Sequence, residues 1–136
     1  MSNLSFNVLR EANRARLPQF KNARGEIAHS QADGSDWALS AWSNAVLGEL
    51  GEAANIIKKI ERGDFSLEEA RPGLAKELSD AVTYLDILAA RSGINLGQAI
   101  IDKFNEISRR VGSDIFILSD GSDWLRKYRQ NKEAVE

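Results

Sequence analysis

The sequence predicts an all-α fold, a helical bundle that is completed by association of several copies of the chain. Apolar residues recur every three or four positions through three long stretches, which is the pattern of amphipathic helices. Residues that favour helix ends, among them Ser92 and Gly93, separate these stretches. At 136 residues the chain is long enough for one domain with a core and short for two. Residues 1–136 are therefore interpreted as a single domain.

Residues 1–36 are interpreted as one short helix followed by an irregular arm. A helix is predicted over residues 5–15, and it ends at Leu17-Pro18 because the residue before proline avoids the helical region. The helical period is then lost from residue 19 to residue 36. A connection of this length is usually functional or mobile. Two interpretations stay open: a flap beside the site, or a segment packed on the surface or on a second subunit.

The first long helix opens the core of the domain, which is predicted to span residues 37–112. Asp36 is placed to cap this helix, which is expected to begin near Trp37 and to end at residues 62–64. Its apolar positions are Leu39, Trp42, Val46, Leu50, Ala53, Ile57 and Ile60. Trp37 and Trp42 fit this pattern, so positions in the core are favoured over rings that stack on a base.

The second long helix follows after a short connection. Ser66 and Glu69 spell a capping box, which predicts a helical turn before a break at Pro72-Gly73. The main apolar positions are Leu74, Leu78, Val82, Leu85 and Leu88. The helix is expected to end at Ser92-Gly93. Two helices joined by so short a connection are predicted to be antiparallel neighbours.

A third long helix is predicted between a cap at Asn95 and a break at Gly112. Its apolar positions are Ile100, Ile101, Phe104, Ile107 and Val111. The three helices carry more apolar surface than one small bundle buries, so partner helices from a homo-oligomer, a dimer or a tetramer, are expected. The wide apolar faces that support this expectation include Trp42, Ile56, Ile57, Ile87 and Leu88.

Residues 113–136 are interpreted as a carboxyl-terminal arm with a short helix. Residues 115–118 form an apolar run that suits an extended segment. After a turn at Asp120-Gly121, Ser122 is placed to cap a helix that runs through Trp124 and Tyr128. The last six residues are expected to fray.

Two acidic pairs lie inside the first two long helices. Glu49 precedes Glu52 by three residues, and Glu77 precedes Asp80 by three. Residues at this spacing share one face of a helix, so each pair points in one direction. At 1.5 Å per residue, the first pair lies roughly 15 Å before the end of its helix and the second roughly 6 Å into its own. The connection between the helices can span this offset, so four carboxylates are predicted to share one patch.

Such a patch requires a cation to offset its negative charge. Oxygen ligands without histidine or cysteine suit a hard ion, Mg²⁺ or also Mn²⁺, better than zinc. Magnesium commonly completes its coordination shell with the phosphates of a substrate. The acidic patch is therefore a first indication of a nucleotide.

These motifs resemble the MazG-like family of all-α nucleoside triphosphate pyrophosphohydrolases. The two carboxylate pairs, the stretch from Gly48 to Asn55 with Lys58-Lys59 after it, and the late basic stretch from Lys103 to Gly112 carry the resemblance. It covers roughly residues 37–112. Relatives often have a glutamate where Gly48 stands. If that glutamate transfers a proton in the relatives, this chain has no side chain at the position to do so.

The resemblance implies hydrolysis between the α- and β-phosphates of a (deoxy)nucleoside triphosphate, which yields a monophosphate and pyrophosphate. It assigns metal binding and catalysis to Glu49, Glu52, Glu77 and Asp80. It places five residues at the substrate: Asn55, Lys59, Tyr84, Lys103 and Arg110.

Several of these assignments have a structural alternative, and for the four acidic residues it is a solvated helix face with salt-bridge partners. Lys59 fits a cation at a helix end, Tyr84 a core ring with its hydroxyl at the rim, and Lys103 a salt bridge to the acidic patch. The substrate alternatives within the same superfamily are phosphoribosyl-ATP and an alarmone. A different class, a non-catalytic helical oligomer that binds metal, also stays open.

Composition excludes several other functions. The formal charge is −2, with 18 basic and 20 acidic residues, and no basic run indicates a nucleic-acid partner. Cysteine is absent, which excludes disulfides and thiolate chemistry. His29, the single histidine, lies in the irregular arm without a partner at metal-ligand spacing. No segment is predicted to span a membrane or to act as a signal peptide, so a cytoplasmic protein is expected.

Overall fold

The computed structural model describes residues 4–121 and the backbone of residues 124–126. The described elements are helices α1 (Phe6–Arg16), α2 (Leu39–Glu61), α3 (Leu67–Arg91) and α4 (Leu96–Val111), a short 3-10 helix (Leu17–Gln19), and strands β1 (Ile115–Ile117) and β2 (Trp124–Arg126). The chain divides into two compact units, residues 1–93 and 94–136. The all-α class is confirmed, while the bundle type and the homo-oligomer stay predictions. No helix in the described part of the chain is long and apolar enough to cross a membrane.

Helices α2 and α3 pack side by side in opposite directions, as the short connection predicts. Residues early in α2 lie beside residues late in α3, since the ring centroids of Trp42 and Tyr84 are 6.2 Å apart. Towards the other end of the pair, Ile56 of α2 lies beside Gly73 of α3. A Cβ added at Gly73 would lie 3.8 Å from Ile56 Cδ1. This order along the two helices defines an antiparallel pair, and it sets the acidic residues of both helices beside each other.

The start of α3 confirms the capping box and corrects the predicted break. Ser66 Oγ accepts a hydrogen bond of 3.2 Å from Glu69 N, and Glu69 Oε2 accepts one of 2.8 Å from Ser66 N. The helix then continues without a break through Pro72. Proline forfeits one backbone hydrogen bond in a helix interior. Pro72 is the sixth residue of α3, so the lost hydrogen bond lies close to the start of the helix. The turn that follows the capping box and the main helix are therefore one element.

The predicted cap at Asp36 is wrong. Helix α2 begins at Leu39 after Ala38, which provides no side-chain cap. Asp36 instead belongs to the irregular arm, where its Oδ2 accepts a hydrogen bond of 3.2 Å from Ser30 N. The Asp36 carboxylate therefore accepts a hydrogen bond from a loop amide and does not cap α2.

The irregular arm is ordered by its own backbone and by Trp42. Within it, Lys21 and Ile27 form an antiparallel bridge, and Ala28 N donates to Phe20 O at 2.8 Å. Trp42 is fully buried and forms a core cluster with Leu17 and Ile87, against which Tyr84 and Leu88 pack. The prediction that Trp42 lies in the core is confirmed, whereas Trp37 is 38% exposed.

The second unit contains α4 and the two short strands. Asn95 caps α4 by accepting from Gln98 N at 3.1 Å, and Gly112 ends it with a φ of 71°, so both predicted ends are confirmed. Asn105 holds β1 by exchanging two hydrogen bonds of 2.9 Å with the backbone of Ile117.

The carboxyl-terminal arm corrects one further prediction. Strand β1 pairs with β2 in antiparallel register, Phe116 opposite Leu125. Trp124–Arg126 is therefore extended and not helical, because pairing with an apolar strand outweighs the local capping signal. The predicted cap Ser122, the later residue Tyr128 and the last six residues lie outside the described residues.

Candidate functional site

Three of the four predicted acidic residues converge between α2 and α3. Carboxylate oxygens of Glu49, Glu52 and Glu77 lie within 4.8 Å of one another. Glu49 and Glu77 are half-buried and Glu52 is exposed. The i,i+3 spacing puts the first two on one face of α2, and the antiparallel packing of α3 brings Glu77 to the same place. We call these three residues the glutamate cluster.

The neighbouring carboxylates change the pKa of Glu52. A hydrogen bond with Glu77, the negative charge of Glu77, loss of hydration and then the charge of Asp80 raise the pKa of Glu52 above its ordinary value of 4.5. Glu52 therefore holds its proton more tightly than an isolated glutamate does. A divalent cation competes for the same oxygens, so binding of an ion there would release this proton.

Asp80 lies beside the glutamate cluster, although it is not one of the three mutually close groups. It is near enough for its charge to act on Glu52 and on the hydroxyl of Tyr84. Asp80 and Glu49 both line a cavity of about 340 Å³ in the first unit. The glutamate cluster and Asp80 are thus neighbours, and Glu49 and Asp80 connect this acidic region to the cavity.

Tyr84 faces the same cavity from α3, one helical turn after Asp80. Burial, followed by the charges of Glu49 and Asp80, raises the pKa of its hydroxyl above 10, while the charge of Arg16 acts in the opposite direction. The hydroxyl therefore stays protonated at neutral pH and is a hydrogen-bond donor beside the acidic residues. Tyr84 packs on the core and also borders the cavity, while its contact with a substrate stays a prediction.

Aromatic side chains form the other end of the cavity. His29 is buried, and its ring centroid lies 4.4 Å from Trp37, 5.2 Å from Trp42 and 6.4 Å from Phe20. His29 Nδ1 lies 3.5 Å from Asp36 Oδ2, yet it makes no hydrogen bond within the described part of the chain. Phe20, His29 and Trp42 line the cavity. This places part of the irregular arm beside the acidic residues, while its interpretation as a moving flap stays a prediction.

Helix α1 supplies the remaining wall and is tied to α3 by a buried carboxylate. Asp86 is 1% exposed and accepts hydrogen bonds of 3.0 Å from Arg10 Nε and from Asn13 Nδ2. Asn13, Arg16 and Leu17 all line the cavity. The ion pair and the amide therefore fix the helix that contributes one side of the site.

The other predicted substrate residues lie outside this cavity wall. Asn55 is exposed and Lys59 half-buried on α2, and neither lines the cavity. Lys103 and Arg110 are exposed on α4 in the second unit, where Lys103 Nζ pairs with Glu106 Oε1 at 2.6 Å. The suggested salt bridge is to the acidic patch, whereas the partner observed for Lys103 is Glu106 on its own helix. Roles of these four residues at a substrate stay predictions.

Several residues of the site escaped the sequence analysis. Asp86 had a signal, because it is the single charge in the apolar run from Ala81 to Ala90 and a charge there requires a buried partner. No comparable signal in the sequence indicates that Arg16, Phe20 and His29 lie at the cavity. They reach the cavity through contacts between residues far apart in the sequence.

Comparison with known protein families, with curated proteins and with solved structures gave no match.

Proposed function

We propose that the protein is a magnesium-dependent nucleoside triphosphate pyrophosphohydrolase of the MazG-like type. The observation that carries the proposal is the glutamate cluster next to a cavity lined by two of the acidic residues, Glu49 and Asp80, and by the aromatic residues Phe20, His29 and Trp42. Trp42 and Glu49 are seven residues apart on α2, roughly 10 Å at 1.5 Å per residue, so the two groups define an acidic end and an aromatic end. A triphosphate with its divalent ion matches the acidic end, and a nucleoside matches the aromatic end. The resemblance of the two carboxylate pairs to that family supplies the bond that is cleaved.

The residues present suit a hard divalent cation. Glu49, Glu52 and Glu77 offer oxygen donors close enough together to share one ion, and Asp80 stands beside them. When bound, such an ion supplies Lewis acidity to phosphate oxygens and to an attacking water. Carboxylates that are ionised in this region also serve as proton acceptors for that water. The protonated Tyr84 hydroxyl would donate to an oxygen of the substrate.

The aromatic end of the cavity suits a nucleoside. Phe20 is 47% exposed and lines the cavity, whereas Trp42 lines it and is fully buried. A base that packs against Phe20 and Tyr84 would leave its phosphates directed towards Glu49 and Asp80, which line the same cavity. Stacking of this kind accommodates any of the bases, so the proposed substrate is a class of nucleotides and not one nucleotide.

Product analysis tests the proposal. Purified protein is incubated with a panel of ribo- and deoxynucleoside triphosphates, with Mg²⁺, with Mn²⁺ and with EDTA, and the products are separated by chromatography. We expect monophosphate and pyrophosphate only when the metal is present. Glu52→Gln and Asp80→Asn should abolish release of pyrophosphate while circular dichroism retains the helical signal. Full activity of either variant would refute the assignment.

Two controls separate the alternatives. Glu11→Gln removes an exposed carboxylate on α1 that does not line the cavity, and it should keep the activity of the unaltered protein. Turnover of phosphoribosyl-ATP or an alarmone in place of free nucleotides would change the substrate and keep the site. Metal binding without turnover of any of these compounds would indicate the non-catalytic oligomer.

A further inference from the structure

We propose that Arg16, at the end of α1, binds the phosphate chain of the substrate and makes the site selective for triphosphates over shorter phosphates. This inference rests on the proposed function, because it names a residue for the same cavity. It adds a cation from α1 to a site whose predicted basic residues all lie on α2 and α4.

The position of Arg16 in the cavity wall supports this role. Arg16 lines the cavity together with Glu49 and Asp80, and within the described part of the chain it is the one lysine or arginine that does so. Two buried residues near it in the sequence line the same cavity, Asn13 on α1 and Leu17 at the start of the 3-10 helix. The hydrogen bond from Asn13 to the buried Asp86 holds this part of α1 against α3. The backbone that carries Arg16 is thereby fixed, while its side chain remains exposed.

The guanidinium is available for a ligand. No carboxylate of the described residues lies within ion-pair distance of Arg16. Its guanidinium carbon lies 5.6 Å from the ring centroid of Phe20, the exposed ring of the aromatic end. Such a contact orients a guanidinium and leaves its N–H groups free to donate. The charge also reaches Tyr84, since it acts on that hydroxyl against Glu49 and Asp80.

The charges of the site require a cation of this kind. A triphosphate is highly anionic, and the carboxylates repel it wherever a metal ion does not screen them. The planar guanidinium donates two parallel hydrogen bonds to phosphate oxygens, which lysine cannot do. A cation in the lining of the same cavity would gain more from a longer phosphate chain than from a monophosphate. Release of the monophosphate product would then be favoured over its retention.

The test compares Arg16→Gln and Arg16→Lys with a matched control, Arg14→Gln. Arg14 is exposed in the same last turn of α1 and does not line the cavity. Two measurements are made in Mg²⁺: steady-state kinetics on the best nucleoside triphosphate, and calorimetric binding of inorganic tripolyphosphate. Tripolyphosphate has no base and tests the phosphate contact without the aromatic end.

We expect Arg16→Gln to raise KM and to weaken tripolyphosphate binding by about tenfold or more, with kcat changed much less. Arg16→Lys should retain part of the affinity, and Arg14→Gln should match the unaltered protein. Equal behaviour of Arg16→Gln and Arg14→Gln would overturn the inference and leave the proposed function intact.

The two proposals can fail separately. If the protein hydrolyses no nucleoside triphosphate but binds tripolyphosphate in an Arg16-dependent manner, the proposed reaction falls and the phosphate site stands. If the unaltered protein binds no tripolyphosphate, the inference falls whatever the activity.

Discussion

Trp42 Nε1 donates a hydrogen bond of 2.9 Å to the carbonyl oxygen of Gly34. Gly34 is buried with a positive φ of 72°, and a Cβ added there would lie 3.1 Å from the indole ring. This contact joins the irregular arm to the core side chain that supports the cavity. The arm positions His29 and Phe20, so the shape of the aromatic end depends on one glycine.

Gly34→Ala should therefore destabilise the protein by two effects. Left-handed backbone costs a residue with a Cβ about 1–2 kcal/mol, and the clash with a packed ring adds about 1–3 kcal/mol. Urea unfolding followed by tryptophan fluorescence measures the sum. Gly25→Ala is the matched control, because φ is 78° there and nothing lies within 4 Å of the added Cβ. Equal losses for the two variants would show that the contact with Trp42 contributes nothing.

The second prediction concerns the buried ion pair between α1 and α3. Arg10→Met leaves the Asp86 carboxylate buried without its cation, and we expect a loss of about 3 kcal/mol in the free energy of unfolding. Replacing both residues, Arg10→Met with Asp86→Leu, removes the unpaired charge and should recover a large part of that loss. Urea denaturation of the two variants and the unaltered protein provides the comparison. A double variant less stable than Arg10→Met alone would contradict this explanation.

How far the sequence predicts the fold depends on whether the determining contacts are local. Helical periodicity and the caps at Ser66, Asn95 and Gly112 are local, and those predictions are confirmed. Asp36 has the chemistry of a cap, but a loop amide takes its oxygen. The prediction of a terminal helix at Trp124 fails because a paired strand is a contact between segments, which a local signal does not contain.

The same distinction between local and long-range contacts decides how much of the site the sequence predicts. The carboxylate spacing on α2 and the short connection to α3 suffice to predict that Glu49, Glu52 and Glu77 meet. The cavity itself depends on where the irregular arm and α1 pack, and no period in the sequence describes that packing. Arg16 and His29 therefore become part of a candidate site only once the tertiary structure is known.

The third prediction is a pH dependence that originates in the glutamate cluster. The pKa of Glu52 is raised in the folded protein, so the folded state holds this proton more tightly than the unfolded chain. The stability from this proton is fully present below pH 4.5, the ordinary value, and is lost as the pH rises through the raised pKa. In EDTA, the melting temperature should decline over this range. Glu52→Gln should flatten the decline, and Glu11→Gln should not.

Metal ions should oppose this decline of the melting temperature with rising pH. Ions that bind the ionised cluster stabilise the folded state by mass action, so Mg²⁺ or Mn²⁺ should raise the melting temperature more near neutrality than at pH 4.5. The increase should disappear in Glu52→Gln and persist in Glu11→Gln. An equal increase at both pH values would place the bound ion away from the glutamate cluster.

The fourth prediction concerns the apolar residues that α3 leaves exposed. Leu78, Val82 and Leu85 are 47%, 45% and 40% exposed, and their spacing of four and three residues puts them in one row. On α2, Leu50 and Ile57 are exposed seven residues apart, which is a second row of the same kind. Rows of exposed apolar residues are typical of helix faces that associate with a partner. We therefore expect a dimer or a tetramer in solution.

Sedimentation at micromolar concentration distinguishes these species from a chain of 15.0 kDa. Leu85→Lys places a charge in the α3 row, and its desolvation in an interface should shift the protein towards smaller species by about tenfold or more in the dissociation constant. Val8→Lys makes the same kind of change at a 54% exposed apolar residue of α1 and should leave the mass unchanged. A uniform 15.0 kDa species for the unaltered protein would reject the oligomer. If both lysine variants dissociate, the interface extends to α1, because a charge disrupts association only where a partner covers it.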